Sequence, residues 1–249
     1  MNLKKLRENH KKYGVDRRHK SLPPENHCSY GKVYSLCKKH QLLQRVKNKK
    51  NTTKEDKTQF AIGAIERDFK ATVPNEKWLT DITQYQTKTG KLYVSPVLDC
   101  FDGAIVGLSM DSNMKAELCK QSLLSALRRY AIPQGSKISG LIIHSDRGSQ
   151  YTSNKFRGTI HKYQLEQSMG RTGSCYDNTR MESFFSRLKD EGVTENEAKS
   201  LTREELARRI FKWIELEYNL TRITSVNEGY LPPLVKRAKY FHDAKQLAA

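Results

Sequence analysis

Apolar residues fall along the chain in short blocks with two different periods. From Asn75 to Thr87 the run NEKWLTDITQYQT is rich in β-branched and aromatic residues, and KTG turns it into KLYVSPVLDCF. GAIVGLSM predicts a third strand, closing an antiparallel meander. The period then becomes helical in NMKAELCKQSLLSALRRY, which stops at Pro133. GLIIHS reads as a short buried strand, NKFRGTIHKY as a second helix and YDNTRMESFFSRLKDE as a third, capped by Asp177 or Asn178. At about 100° per residue, Met181, Phe184 and Leu188 form an apolar stripe. Asn178, Glu182, Ser186 and Lys189 share the polar face, with Phe185 at its border. Three hairpin strands, then helix, strand and helix, predict an α/β domain, a mixed sheet covered by helices, starting between Phe69 and Trp78.

The chain ahead of it is differently patterned. LKKLRENHKKYG favours helix and ends at Gly14, VDRRHKSLPPENHC reads as a turn or loop around Pro23-Pro24, and Ser29 caps a second amphipathic helix, SYGKVYSLCKKHQLLQRV. In that helix Val33, Leu36, Cys37, His40 and Leu43 lie near one face. Two short basic helices can form a helix-turn-helix whose second member enters the major groove. A solvated basic arm that coats phosphates fits the pattern equally well. Residues 47–58, charged and without apolar period, form a linker. The expected organisation is a basic helical segment (1–46), a linker (47–68), a catalytic core (69–222) and a tail (223–249).

Charge adds a partner. The 249 residues carry 45 Lys and Arg against 27 Asp and Glu, a formal +18. Residues 1–75 hold 19 of those cations and 7 of the anions, a net +12. Such a surplus repels itself unless a polyanion neutralises it, which points to nucleic acid. A membrane surface is disfavoured, because no long basic amphipathic helix is present. Apolar runs are too short to span a bilayer, and Met1 opens a polar segment without a signal-peptide core. Five cysteines, an odd number with no C-x-x-C pair, argue against a disulfide framework or zinc site. A reduced, cytoplasmic protein is expected.

Three carboxylates stand where a folded domain normally avoids them. Asp81 interrupts the apolar strand WLTDITQY, Asp146 ends LIIHS before Arg147-Gly148, and Glu182 lies on a helix. Each has an ordinary alternative: an exposed strand face, a turn aspartate, a solvated helix face. Asp99 and Asp102 read as turn residues and His144 as a satisfied strand histidine. Gln150 and Tyr151 are candidates to hold phosphate or stack a base.

Together, W-x-x-D-I-T, I-I-H-S-D-R-G-S-Q-Y and D-N-x-x-M-E-S-F-F-x-x-L-K-x-E resemble the bacterial insertion-sequence transposases of the IS-three type, and more broadly the retroviral-integrase core. Thirty-five residues separate Asp146 from Glu182, the spacing of that family. The resemblance covers roughly residues 70–222. It implies a ribonuclease-H-like fold, with Asp81, Asp146 and Glu182 as catalytic residues and ligands of two Mg2+ ions, for which Mn2+ may substitute. It further implies cleavage of element ends and transfer of a 3′-hydroxyl into target DNA. The implied partners are terminal-repeat and target DNA, a further copy of the chain on DNA, and the first-frame protein, near the nucleoid; this chain looks like the second-frame product. DNA-contact candidates are Arg17, Arg18, Lys38, Lys39, Arg147, Asn178, Lys189 and Arg222. KYGVDRRHKSL approximates the family's K-Y-G-x-R-R with one residue inserted, and EYNLTRITSVNEGYLPP its Y-N-x-x-R-x-H, with Thr224 where His is expected. The alternatives are an inactive DNA-binding remnant and a ribonuclease-H-fold nuclease that does not join DNA.

Overall fold

The computed structural model describes residues 13–43, 69–129, 140–170 and 179–247. Its centre is a six-stranded mixed sheet. β1 (Lys77–Thr80), β2 (Thr83–Thr87), β3 (Gly90–Asp99) and β4 (Ile105–Asp111) supply the antiparallel part. The long β3 pairs with β4 along one edge, and with β2 and then β1 along the other, where Thr83 faces Val94 and Thr80 faces Val97. β1 and β2 are thus one line of chain broken at Asp81 and Ile82. The Ile82 amide donates to Asp81 Oδ1 at 2.7 Å, a local bond that competes with the ladder. On the far side of β1, β5 (Ile142–Ser145) and β6 (Glu166–Met169) run parallel to it.

Period-two alternation divides the apolar residues between the faces. Trp78, Val97, Val106 and Ile143 join one core, covered by α3 (Ala116–Arg129), the short α4 (Ser149–Thr152) and α5 (Asn154–Lys162). Leu79, Leu98 and Ile105 point the other way. They pack beneath α6 (Thr179–Arg187), a π-helical turn (Leu188–Gly192), α7 (Glu195–Lys199), α8 (Arg203–Lys212) and a second π-helical stretch (Trp213–Tyr218). The expected stripe Met181, Phe184 and Leu188 is fully buried there. The meander, the Ser153-capped α5 and the α/β layering follow the expected pattern.

Other expectations are corrected. β6 was missed because EQSM is polar; its one fully buried side chain, Ser168, bonds to His144 Nδ1 at 2.9 Å. Val15–Lys20, expected as loop, is α1, and Ser29 caps α2 (Tyr30–Lys39) as foreseen. Leu22, Val33 and Cys37 form a small core for this pair. The earlier helix expected over LKKLRENHKKYG, up to residue 12, the linker and the Pro133 stop lie outside the described residues. The tail is not separate: a 3-10 turn (Glu228–Tyr230) leads to α9 (Pro233–Leu247), whose buried Arg237 bonds to Asp99 and Asp102 at 2.7 and 2.6 Å. Among the described residues no helix is long and apolar enough to cross a membrane.

Candidate active site

The register between β1 and β5 sets up the site. Leu79 lies opposite His144 in this parallel pair. Asp81 and Asp146 each follow directly on the carboxyl end of one of these two neighbouring parallel strands. Asp81 is half-buried and Asp146 exposed. Asp146 Oδ1 accepts from the Gly148 amide at 3.0 Å. A Cβ on Gly148 would stand 3.0 Å from both that oxygen and Gln150 Oε1, so glycine keeps the turn open.

Below the pair lie Cys119 on α3 and Tyr151 on α4. Asp81 and Asp146 both act electrostatically on the Cys119 thiol, and Asp81 acts on the Tyr151 phenol. Burial is the larger cause in each case. It pushes the thiol up to about 11 and the phenol well above its ordinary value, so both are neutral near pH 7. His144 is buried, its Nδ1 2.9 Å from Ser168 Oγ, and it meets Phe69 edge-on at 5.9 Å. No Cys119 thiolate therefore competes with the two carboxylates. Hard oxygen donors at a strand end open to water fit a divalent cation that keeps several waters.

Glu182 is half-buried on α6, which packs against β1 through the core shared by Met181, Phe184 and Leu79. Among the described residues, no three His, Cys, Asp or Glu side chains are grouped closely enough to hold a metal ion. Asp81 and Asp146 lie within electrostatic reach of one thiol, that of Cys119. Residues 171–178, which lead into α6 and include Asn178, lie outside the described residues.

The remaining candidates separate by burial. Lys38 and Lys39 are exposed at the end of α2. Arg147 is half-buried, its Nε donating to the Gly170 carbonyl at 2.9 Å. Lys189 donates to Glu195 at 2.9 Å and lies over the Tyr85 ring; it sits in the π-helical turn, where the α-helical spacing assumed for the polar face no longer holds. Arg18 is 1% exposed and donates to the Tyr13 carbonyl at 2.7 Å, so in this arrangement it cannot reach a phosphate. Arg222 is equally committed, donating to Glu191 at 2.6 and 2.9 Å, while Arg17 reaches the same carboxylate at 3.0 Å. Burial raises the cost of ionising Glu191, but its bonds with Arg222 and the nearby Arg17 outweigh this and hold the carboxyl below its ordinary value.

The other Y-N-x-x-R residues are likewise structural. Asn219 makes paired bonds to the Ile105 backbone at 2.9 and 3.0 Å, and the Tyr218 hydroxyl donates to the Gly103 carbonyl. Thr224, at the expected histidine position, closes a turn by accepting from the Asn227 amide. Nor can Tyr151 stack a base, being 1% exposed, and Gln150 donates to the Met114 carbonyl. Two structural arrangements were not read from the sequence. One is the Arg17–Glu191–Arg222 cluster. The other is the cage around Asp99, which accepts from the Asn75 and Phe101 amides, the Trp78 indole and Arg237. Both join residues far apart in the chain, and no local spacing signals them.

Comparison with known proteins agrees with this fold. Residues 71–175 match the integrase core domain. That match contains Asp81 and Asp146 and ends before Glu182. The chain is 44% identical over 161 residues to the transposase for insertion sequence element IS904 of Lactococcus lactis, covering 65% of this chain and 61% of that protein. It is 38% identical over 168 residues to transposase InsF for insertion sequence IS3A of Escherichia coli, covering 68% and 56%. The chain thus spans about three fifths of the length of these relatives. A chain of the simian T-cell lymphotropic virus intasome, solved with a PP2A regulatory subunit, superposes with a TM-score of 0.51 at 15% identity, covering 86% of this chain and 67% of that one. The integrase core here therefore has the fold of a retroviral integrase.

Proposed function

We propose that this protein is a DNA transposase, a polynucleotidyl transferase that cuts the ends of an insertion element and joins the freed 3′-hydroxyl to target DNA. The observation that supports the reading is the parallel pairing of β1 and β5, whose carboxyl ends lead into Asp81 and Asp146. The transposase relatives supply the reaction class.

Asp81 and Asp146 would hold a divalent cation, with Glu182 completing the set when DNA occupies the site. Magnesium, as two ions or with manganese in its place, supplies charge neutralisation at the scissile phosphate and a more acidic attacking oxygen. The chain's own part is positioning. The Ile82 and Gly148 amides each hold one oxygen of an aspartate, which orients the two carboxylates. In-line displacement requires no covalent protein intermediate, so oriented carboxylates and fixed DNA suffice. Lys38 and Lys39 on α2, with Arg147 beside Asp146, are the basic side chains we assign to DNA; Arg17 and Lys189 can add to them by exchanging their present carboxylate partners for phosphate. Assembly of several copies on paired ends, and a contribution from a first-frame protein, belong to the same proposal.

The test is Mg2+-dependent strand transfer with element-end oligonucleotides. Wild type should give joined product, and Asp81→Asn, Asp146→Asn and Glu182→Gln should each lower it at least ~1,000-fold while the fold is retained. Joining that survives in Glu182→Gln would remove Glu182 from the mechanism. Cleavage without joining by wild type would favour a plain nuclease.

A further inference from the structure

Tyr151 is the largest polar side chain buried at the site, and neither the carboxylate triad nor DNA binding uses it. It belongs to α4, three residues past Gly148, and its amide bonds to the Gly148 carbonyl at 3.0 Å. Its hydroxyl lies 3.3 Å from Thr80 Oγ1, on the residue immediately before Asp81. Thr80 Oγ1 commits its own proton to the Pro96 carbonyl at 3.0 Å, so the phenol is the donor to Thr80. The Cys119 thiol meets the same phenol from α3, the Gln167 amide group holds the Tyr151 carbonyl at 3.0 Å, and Phe156 packs edge-on against the ring at 5.2 Å. A neutral phenol, held on every side, ties the turn after Asp146 to the end of the strand before Asp81.

We propose that Tyr151 is a positioning residue that fixes the spacing of the Asp81 and Asp146 carboxylates, through the bond from its hydroxyl to Thr80. The inference rests on the transposase reading only in taking those two carboxylates as a cation site. Side chains that orient metal ligands from behind typically contribute about 10- to 100-fold in metal affinity. Tyr151 acts through the backbone of Thr80, so the lower end applies.

The experiment measures Mn2+ binding to the full chain without DNA, by isothermal titration, beside thermal midpoint and strand transfer. Tyr151→Phe keeps the ring against Phe156 and removes only the hydroxyl. It should weaken Mn2+ binding ~10-fold with a thermal midpoint near wild type. Thr80→Val should weaken binding similarly, Thr80→Ser should restore it, and the Tyr151→Phe/Thr80→Val double variant should be no weaker than either single change. Wild-type Mn2+ affinity in Tyr151→Phe, or additive losses in the double variant, would overturn the proposal. Should Tyr151→Phe fail to fold, Thr80→Val against Thr80→Ser decides the same bond. Wild type that joins DNA while Tyr151→Phe binds Mn2+ normally sinks this inference alone. Wild type that neither binds Mn2+ nor joins DNA sinks the transposase reading with it.

Discussion

Gly107 shows how closely β4 and α3 approach. A Cβ there would stand 2.5 Å from the Ser122 carbonyl oxygen and 2.9 Å from the Ala126 amide nitrogen, backbone atoms that cannot swing aside. Gly107→Ala should therefore destabilise the fold by ~1–3 kcal/mol, read as a lower urea midpoint at unchanged slope. Arg237 sets a different kind of limit. It is the shared cation of Asp99 and Asp102, both fully buried, and removing it strands two carboxylates in the interior. Arg237→Met should cost ~3–5 kcal/mol in denaturation, and an unchanged stability would show that solvent or another cation reaches the pair. At this scale the sequence was informative where chemistry and local structure conflict. Asp81 stood out because an apolar strand disfavours a carboxylate, and Asp146 because it ends a buried strand, although a turn before Gly148 accommodates an aspartate. Arg18 and Arg222 misled, because an arginine bound inside the protein and one left for phosphate look alike until the partner, Tyr13 or Glu191, is placed.

Elements were legible in proportion to their apolar period. α3, α5 and the α6 stripe followed from helical spacing, and the meander from alternation. β6 could not be found that way, since its place depends on hydrogen bonding to β5 rather than on apolar side chains of its own. The short α1 was hidden for a similar reason: it is a single basic stretch held by docking. Arg17 and Arg222 converge on Glu191 in the π-helical turn that continues α6, and Lys20 lies over the Tyr230 ring. The basic helical pair is thus joined to the element that carries Glu182. The Glu191 carboxyl is held below its ordinary value, so its ionised form stabilises the docked state. That stability is complete above the unfolded carboxylate range, near ~4.5, and is lost as pH falls through the lower folded value. Hydrogen exchange at the Arg18 and Ser21 amides, bonded to the Gly14 and Arg17 carbonyls, should therefore accelerate on acidification below that range before the sheet opens. Glu191→Gln should show the faster exchange already at neutral pH. Exchange that is unchanged in Glu191→Gln would mean that α1 is held by its apolar contacts alone.

At the scale of the whole molecule, the two ends of the chain relate differently to the sheet. Residues 1–50 carry 15 Lys and Arg against 3 Asp and Glu, so they hold net +12 of the chain's +18. Both large cores are built from residues beyond 68, and α1 and α2 have a small core of their own. Deleting residues 1–50 should leave the sheet folded, remove terminal-repeat recognition and flatten the salt dependence of DNA binding, because fewer counterions are released. A cut after Arg222 looks equally harmless in the sequence, where NEGYLPP reads as the start of a tail. The structure predicts the opposite outcome. That cut removes Arg237 from Asp99 and Asp102, and Asn227 from its bond to the Asp102 carbonyl. It also takes away Lys236 and Tyr240, which pack on Phe101. All of these contacts surround the β3–β4 turn and the Asp99 end of the β1–β3 pairing, so the damage enters the strand pair that leads to Asp81. The chain ending at residue 222 should consequently unfold at lower denaturant than the chain lacking residues 1–50, although it loses fewer residues. Equal stability of the two truncations would show that α9 is an appendage and that the strand pair holds itself.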